Sequence, residues 1–210
     1  MPDAKPAYAD SVFINCPFDE QFWPLFEAIV FCVIDCGFVP RCALEEDDSG
    51  TNRLDKISGL IKGSQYAIHD LSRVEITGPV NLPRFNMPFE FGLDLGCRLF
   101  AGPDHSRKRC LVLDSDKYRY RASISDISGQ DIRSHENKPD VAITVVRSWL
   151  RTASRRDNIP HAKSIKARFV AFTALLPGLA ESAGADREDL QFVEYVTLAE
   201  LFIKAQRATG

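Results

Sequence analysis

The run Asn86-Met87-Pro88-Phe89-Glu90-Phe91-Gly92-Leu93-Asp94-Leu95-Gly96 puts a carboxylate among aromatic side chains where a helix begins. Pro88 fits only a first helical turn and Asn86 is a suitable N-cap, so the spacing places Glu90 in that turn. The positive helix end favours an ionised carboxylate, and Phe85, Phe89 and Phe91 offer it apolar walls. Such a group can stabilise an oxocarbenium-like centre at a ribose C1′, or attack it to give a glycosyl-enzyme; this is the chemistry of N-glycosidic cleavage. A glutamate that only complements the helix dipole, worth ~0.3–1 kcal/mol at a surface, fits the same spacing. Asp94, four residues on, is expected to face water, and Gly92 and Gly96 to let the helix approach a neighbour closely.

Two further stretches carry polar groups at strand ends. In His69-Asp70-Leu71-Ser72, Asp70 with Ser72 beside it can hold ribose hydroxyls, orient Glu90, or cap the loop through a local hydrogen bond. His69 points to the opposite side of its strand and reads as structural. In Asn15-Cys16-Pro17-Phe18, Phe18 can stack a base or join the core. Arg41 and Arg53 can bind phosphate or, as is favoured, pair with the acids Glu45 to Asp48.

The elements that must position these groups alternate between strand and helix. Ser11 to Cys16 is a strand whose Val12, Phe13 and Ile14 are too apolar for a sheet open on one face. A helix starts near Trp23, with Pro24 in its first turn, and stops at Gly37. It has almost no polar face, so it must be buried on more than one side, for which a second subunit is one source. Strands over Val39 to Leu44, Gln65 to Asp70 and Arg109 to Leu113 follow, with a short edge strand at Asp131 to Ser134. Helices are expected over Asn52 to Lys62, from Glu90 onward, over Asp116 to Ile127, and over Asp140 to Thr152. Five βα units predict an α/β fold, a flavodoxin-like, doubly wound, five-stranded parallel sheet over residues 1–154. A small C-terminal helical module over 155–210 completes it, with helices at Ala162 to Leu176 and Asp186 to Gln206. In that strand order the crevice lies between the first and third strands, where all three polar stretches converge.

Composition narrows the partners. A formal net charge of −3 over 210 residues gives no general attraction to nucleic acid or anionic lipid. The basic clusters Arg107-Lys108-Arg109 and Arg155-Arg156 read as solvated turns. Met1 to Asp10 lacks a signal-peptide run and no segment is long enough to span a bilayer, so a cytoplasmic protein without membrane contact is expected. The six cysteines show no metal-ligand spacing and read as buried, reduced thiols; Cys16 as a nucleophile lacks an obvious histidine partner.

The strand-Asn15-Cys16-Pro17-Phe18-Asp19, strand-His69-Asp70-Leu71-Ser72 and Asn86-to-Gly96 pieces together resemble the superfamily that joins TIR domains to nucleoside 2-deoxyribosyltransferases. The resemblance covers roughly residues 11 to 150. It implies a flavodoxin-like sheet and a catalytic glutamate in the helix after the third strand, which by position is Glu90. Pro17 and Phe18 match the Pro-Phe pair of the transferases, and Asp70 matches their aspartate at the third strand's end. The long, proline-bearing segment between Asp70 and Glu90 departs from that pattern, as does the absence of an identifiable C-terminal residue for a neighbouring subunit's site. Bacterial TIR-like proteins often join such a domain to a sensing or adaptor module and hydrolyse NAD as an antiphage response, which suits the tail after Ser154. The expectation is therefore an N-glycosidase that splits nicotinamide from NAD, with NAD as substrate and neither cofactor nor metal. Glu90 would be catalytic, Asn15, Pro17, Phe18, Asp70, Ser72, Asn86 and Phe89 would bind substrate, and the protein would self-associate. Deoxyribosyl transfer or hydrolysis of another nucleotide would use the same glutamate. A non-catalytic nucleotide-sensing or adaptor module is the alternative of another class.

Overall fold

The computed structural model describes residues 6–45, 48, 50–73, 76–77, 82–116 and 131–208. Strands β1 (Ser11–Asn15), β2 (Val39–Arg41) and β3 (Tyr66–Asp70) are followed by a two-residue antiparallel pair, β4 (Ile76–Thr77) and β5 (Leu82–Pro83). β6 (Arg109–Asp114) and β7 (Arg133–Ser134) complete a five-stranded sheet of order β2-β1-β3-β6-β7. Every pairing in it is parallel, and Asn15 lies opposite His69 at the carboxyl ends of β1 and β3. Strand order reverses between those two strands, as expected of the flavodoxin-like order. The expected helix over residues 116–127 falls almost wholly outside the described residues.

Helices cover both faces because both faces are apolar. Val12, Ile14, Ile68, Leu111 and Leu113 share a core with α1 (Trp23–Asp35) and α4 (Pro139–Ser154). On the other face Phe13 and Ala67 meet Ile57, Leu60 and Ile61 of α2 (Arg53–Lys62). Beside them Leu71 and Val112 meet Met87 and Phe91 of α3 (Asn86–Phe100). Local chemistry sets the helix ends: Asp19 accepts from the Phe22 N–H before α1, Asn52 accepts from the Leu54 N–H at α2, and Gly37 turns the chain at φ 81°.

Every residue of α1 from Leu25 to Asp35 is buried. Its outer side is covered by α5 (Ala162–Ser182) and α6 (Phe192–Ala208). Phe31 stacks on Phe172 at 5.2 Å between ring centres and also meets Phe169 and Phe202. The two acids of this helix face the same layer. Asp35, wholly buried, receives Arg168 at 2.8 Å and Arg207 at 3.1 Å, while Glu27 receives Arg187 at 2.6 Å. The chain's own C-terminal helices thus supply the second cover for which a partner subunit was one source. They share a single hydrophobic core with the sheet.

Tertiary burial also moves element limits. α5 continues through Pro177 and Gly178 to Ser182, because Leu176 and Ala180 on either side of them are held in the core. α6 begins at Phe192, where the Glu194 carboxylate accepts from the Gln191 N–H, and Asp186 instead turns the preceding loop through the Glu188 N–H. In α4 the buried face is Ala142, Ile143, Val146 and Leu150. No helix among the described residues is long and apolar enough to cross a membrane.

Removing the Phe172 ring empties the centre of the contact between α1 and the C-terminal layer. Phe172→Ala is expected to lower unfolding free energy by ~3–5 kcal/mol. Denaturation should remain one transition, since a single core spans both parts; circular dichroism and Trp fluorescence would then give coincident curves.

Candidate active site

β1 and β3 end side by side, and the chain leaving β1 runs directly into Cys16-Pro17-Phe18. Helix α3 lies across this end of the sheet. Asn86 is its first residue, preceded by Phe85, and no side chain caps it. The cap expected at Asn86 is therefore not formed, and Glu90, the fifth residue, sits one turn in rather than within the first turn. There the dipole contributes less, since its effect fades beyond the first turn.

A cleft of about 280 Å³ opens between these elements. Of the residues expected to form a site, Asn15, Pro17, Phe18, Asn86 and Glu90 line it, together with Cys16, Arg53 and Arg84. Glu90 is 7 % exposed. Among the described residues no hydrogen bond or ion pair engages its carboxylate. Burial raises its pKa above the ordinary glutamate value, partly offset by the Arg53 charge. Sequence reasoning favoured an acidic partner for Arg53; instead it faces this cleft, while Arg41 does pair with Glu45 at 2.8 Å.

Asp70 and Ser72 are brought to the strand end but not into the cleft. Asp70 Oδ1 accepts from the Ser72 N–H at 2.9 Å and from its hydroxyl, the local capping role. Its Oδ2 lies 3.0 Å from Nε2 of His135, and both side chains are completely buried. The Asn137 N–H donates to His135 Nδ1, while Nε2 and Asp70 Oδ2 face each other without hydrogen-bond geometry. The sequence offered no sign of this pair, 65 positions apart, beyond a histidine just past an edge strand. Phe89 points away from the cleft and is 56 % exposed.

Three other sequence readings are corrected. Asp94 is not in water: it is 2 % exposed, with Oδ2 at 3.2 Å from His69 Nε2 and Oδ1 at 2.9 Å from Lys108 Nζ. Burial is the largest single influence on it and acts upward. The hydrogen bond to His69 and the Lys108 ammonium together outweigh it and hold the carboxyl below its usual range. Lys108 is not a surface residue either; its other bonds go to the carbonyls of Ile61 and Ser64. Gly92 approaches no neighbour, since a Cβ there would meet nothing within 4 Å.

Asn15 joins this buried chain to the cleft. Its amide nitrogen donates to the Met87 carbonyl at 3.0 Å and to His69 Nδ1 at 3.0 Å. Because Nδ1 accepts, Nε2 is the ring atom that donates to Asp94. With both amide hydrogens committed, Oδ1 is the polar atom that Asn15 has left to offer a ligand. Cys16 stands in the lining as a thiol: burial, and then the nearby Asp70 carboxylate, push its pKa well above the ordinary value. It is no ready nucleophile. Cys16, Cys32, Cys36 and Cys42 are buried and unpaired in disulfides, as expected, while Cys97 and Cys110 are only half-buried. Among the described residues no group of three potential ligands could hold a metal ion.

No family model, curated protein or solved structure matches this chain.

Glu90 has a folded-state pKa raised above its unfolded value, so its ionised form opposes folding once pH rises above the unfolded pKa. Glu90→Gln should therefore raise the thermal midpoint at pH 7, and the gain should vanish below the ordinary glutamate range. Arg53→Ala should move the Glu90 titration, followed by carboxyl-carbon NMR, further upward.

Proposed function

We propose that this protein is an N-glycosidase that hydrolyses the nicotinamide–ribose bond of NAD, with Glu90 as the catalytic carboxylate. The observation that carries this reading is a buried carboxylate, without a partner among the described residues, beside a cleft at the switch point of a parallel sheet. A charge held there stabilises a developing oxocarbenium ion far better than it would in water.

Leaving-group chemistry supports nicotinamide. When its C1′–N bond breaks, the bonding pair returns to a ring nitrogen that already bears positive charge, so the base departs neutral and needs no proton. Water then forms the new C1′–O bond and releases one proton, which Glu90 can accept and pass to solvent; the products are nicotinamide and ADP-ribose. A purine or pyrimidine of an ordinary nucleoside departs as an anion unless an acid protonates it. Among the described residues the cleft lining holds one carboxyl group and no histidine, while Cys16 is far from the acidity that role needs. A single group serving as electrostatic stabiliser fits the leaving group that requires no acid. Asn15, Asn86 and Phe18 line the cleft, where the two amides would orient ribose and Phe18 would meet a planar ring.

Purified protein incubated with NAD should release nicotinamide and ADP-ribose, resolved by chromatography. Glu90→Gln should lower the rate on the order of 10³-fold while the folded spectrum is retained. Base exchange on a 2′-deoxynucleoside without NAD cleavage would identify deoxyribosyl transfer instead. Nucleotide binding with no turnover of either substrate, equal in parent and Glu90→Gln, would mark a sensing or adaptor module.

A further inference from the structure

The cleft at Glu90 does not end at Arg53. A second, larger groove of about 700 Å³ continues from it, and Phe18, Ala43 and Arg53 belong to the walls of both. One wall of this groove comes from the start of α2. The opposite wall is the segment Glu188 to Phe192, between α5 and α6, so the C-terminal layer that covers α1 also borders the groove.

The two walls differ in chemistry. Arg53 and Lys56, three apart on α2, share a helix face, and among the described residues neither makes an ion pair or hydrogen bond. Asp48, which lines the groove on that side, has its oxygens occupied by the Gly50 N–H and the Thr51 hydroxyl, both at 2.8 Å. At the floor, Trp23 packs on Phe26 at 5.3 Å between ring centres and remains partly open to the groove, while Phe18, on the other side of Phe26 at 5.4 Å, stands at the junction with the cleft. Glu188 and Asp189 line the part of the groove contributed by the C-terminal layer, where acceptors can meet hydroxyl or amino groups but would repel a phosphate. The anionic part of a ligand is thereby confined to the Arg53 side, at the junction of the two cavities.

Taking the proposed glycosidase reading as its basis, we propose that the groove is the subsite for a second nucleotide: Arg53 and Lys56 hold the phosphates, and Trp23 receives the base. The order of chemistry along the connected cavities is carboxylate, shared cation, then aromatic platform. It matches a dinucleotide joined through its phosphates, and neither a nucleoside nor a mononucleotide fills it. The C-terminal helices then have a part in substrate choice as well as in the core.

The test uses the full-length protein in two assays. In the first, NAD and nicotinamide mononucleotide are compared as substrates for the parent and for Lys56→Gln. The KM for NAD should be about tenfold or more below that for the mononucleotide, and Lys56→Gln should raise the first more than the second. In the second, ADP, which lacks the scissile bond, is titrated calorimetrically into Glu90→Gln with and without Lys56→Gln. Binding weakened about tenfold by the Lys56 change supports the subsite even if no glycoside is cleaved, so that result sinks only the glycosidase reading. Equal KM values for the two substrates, with no ADP binding, overturn the subsite and leave the glycosidase reading standing. Absence of both cleavage and ADP binding overturns both.

Discussion

Two polar anchors fix helix α3, and Glu90 lies between them. At the first turn the Met87 carbonyl accepts from Asn15; two turns on, Asp94 is clamped between His69 and Lys108. Met87, Glu90 and Asp94 are three and four residues apart and so share one helix face. Each anchor is buried, and leaving any of its groups unpaired would cost about 1–3 kcal/mol, more for the charged ones. The helix therefore has one favourable rotation and one height above the sheet. That placement puts a carboxylate with no bonded partner among the described residues at the mouth between β1 and β3. The buried charge of Asp94 is met by direct contacts and that of Glu90 only in part, by the Arg53 charge, although they are one turn apart. Under the proposed glycosidase reading, that contrast leaves Glu90 for chemistry and Asp94 for structure.

The second constraint is the burial of α1. A helix apolar on all sides cannot rest on a sheet with its back in water, and here α5 and α6 provide the back. Arg168, Arg187 and Arg207 then meet the two acids of α1, so the layer is fixed in position as well as in contact. Breaking such pairs singly is far more destabilising than their net contribution suggests, because a lone buried charge remains. The loop joining α5 to α6 is carried by this docking to the edge of the groove beside the Glu90 cleft.

Periodicity was a good guide where burial follows one simple rule. Val12-Phe13-Ile14 announced a strand covered on both faces, and Trp23-Pro24 and Asn52 announced helix starts that the structure has. It failed where tertiary burial overrode a local preference. Pro177 forfeits a helical hydrogen bond, yet the helix runs on because Leu176 and Ala180 are locked against α1. Asn86 has the chemistry of a cap and lines the cleft instead. Lys108, inside a basic triplet, looked solvated; three acceptors from Ile61, Ser64 and Asp94 hold its ammonium in the interior.

From its order of residues alone this chain determined a parallel α/β sheet, the strands between which its crevice falls, and a glutamate near that crevice. Those features follow from apolar patterning and short-range turn chemistry, which act between near neighbours. Only the tertiary structure decided which carboxylates are spent on pairing and which is left available. The basic side chains beside Asp70, Asp94 and Asp35 lie 14 to 172 residues away, too far for any local pattern to announce them. Desolvation, which gives Glu90 its shifted acidity, is a property of the assembled walls rather than of any residue beside it in the chain.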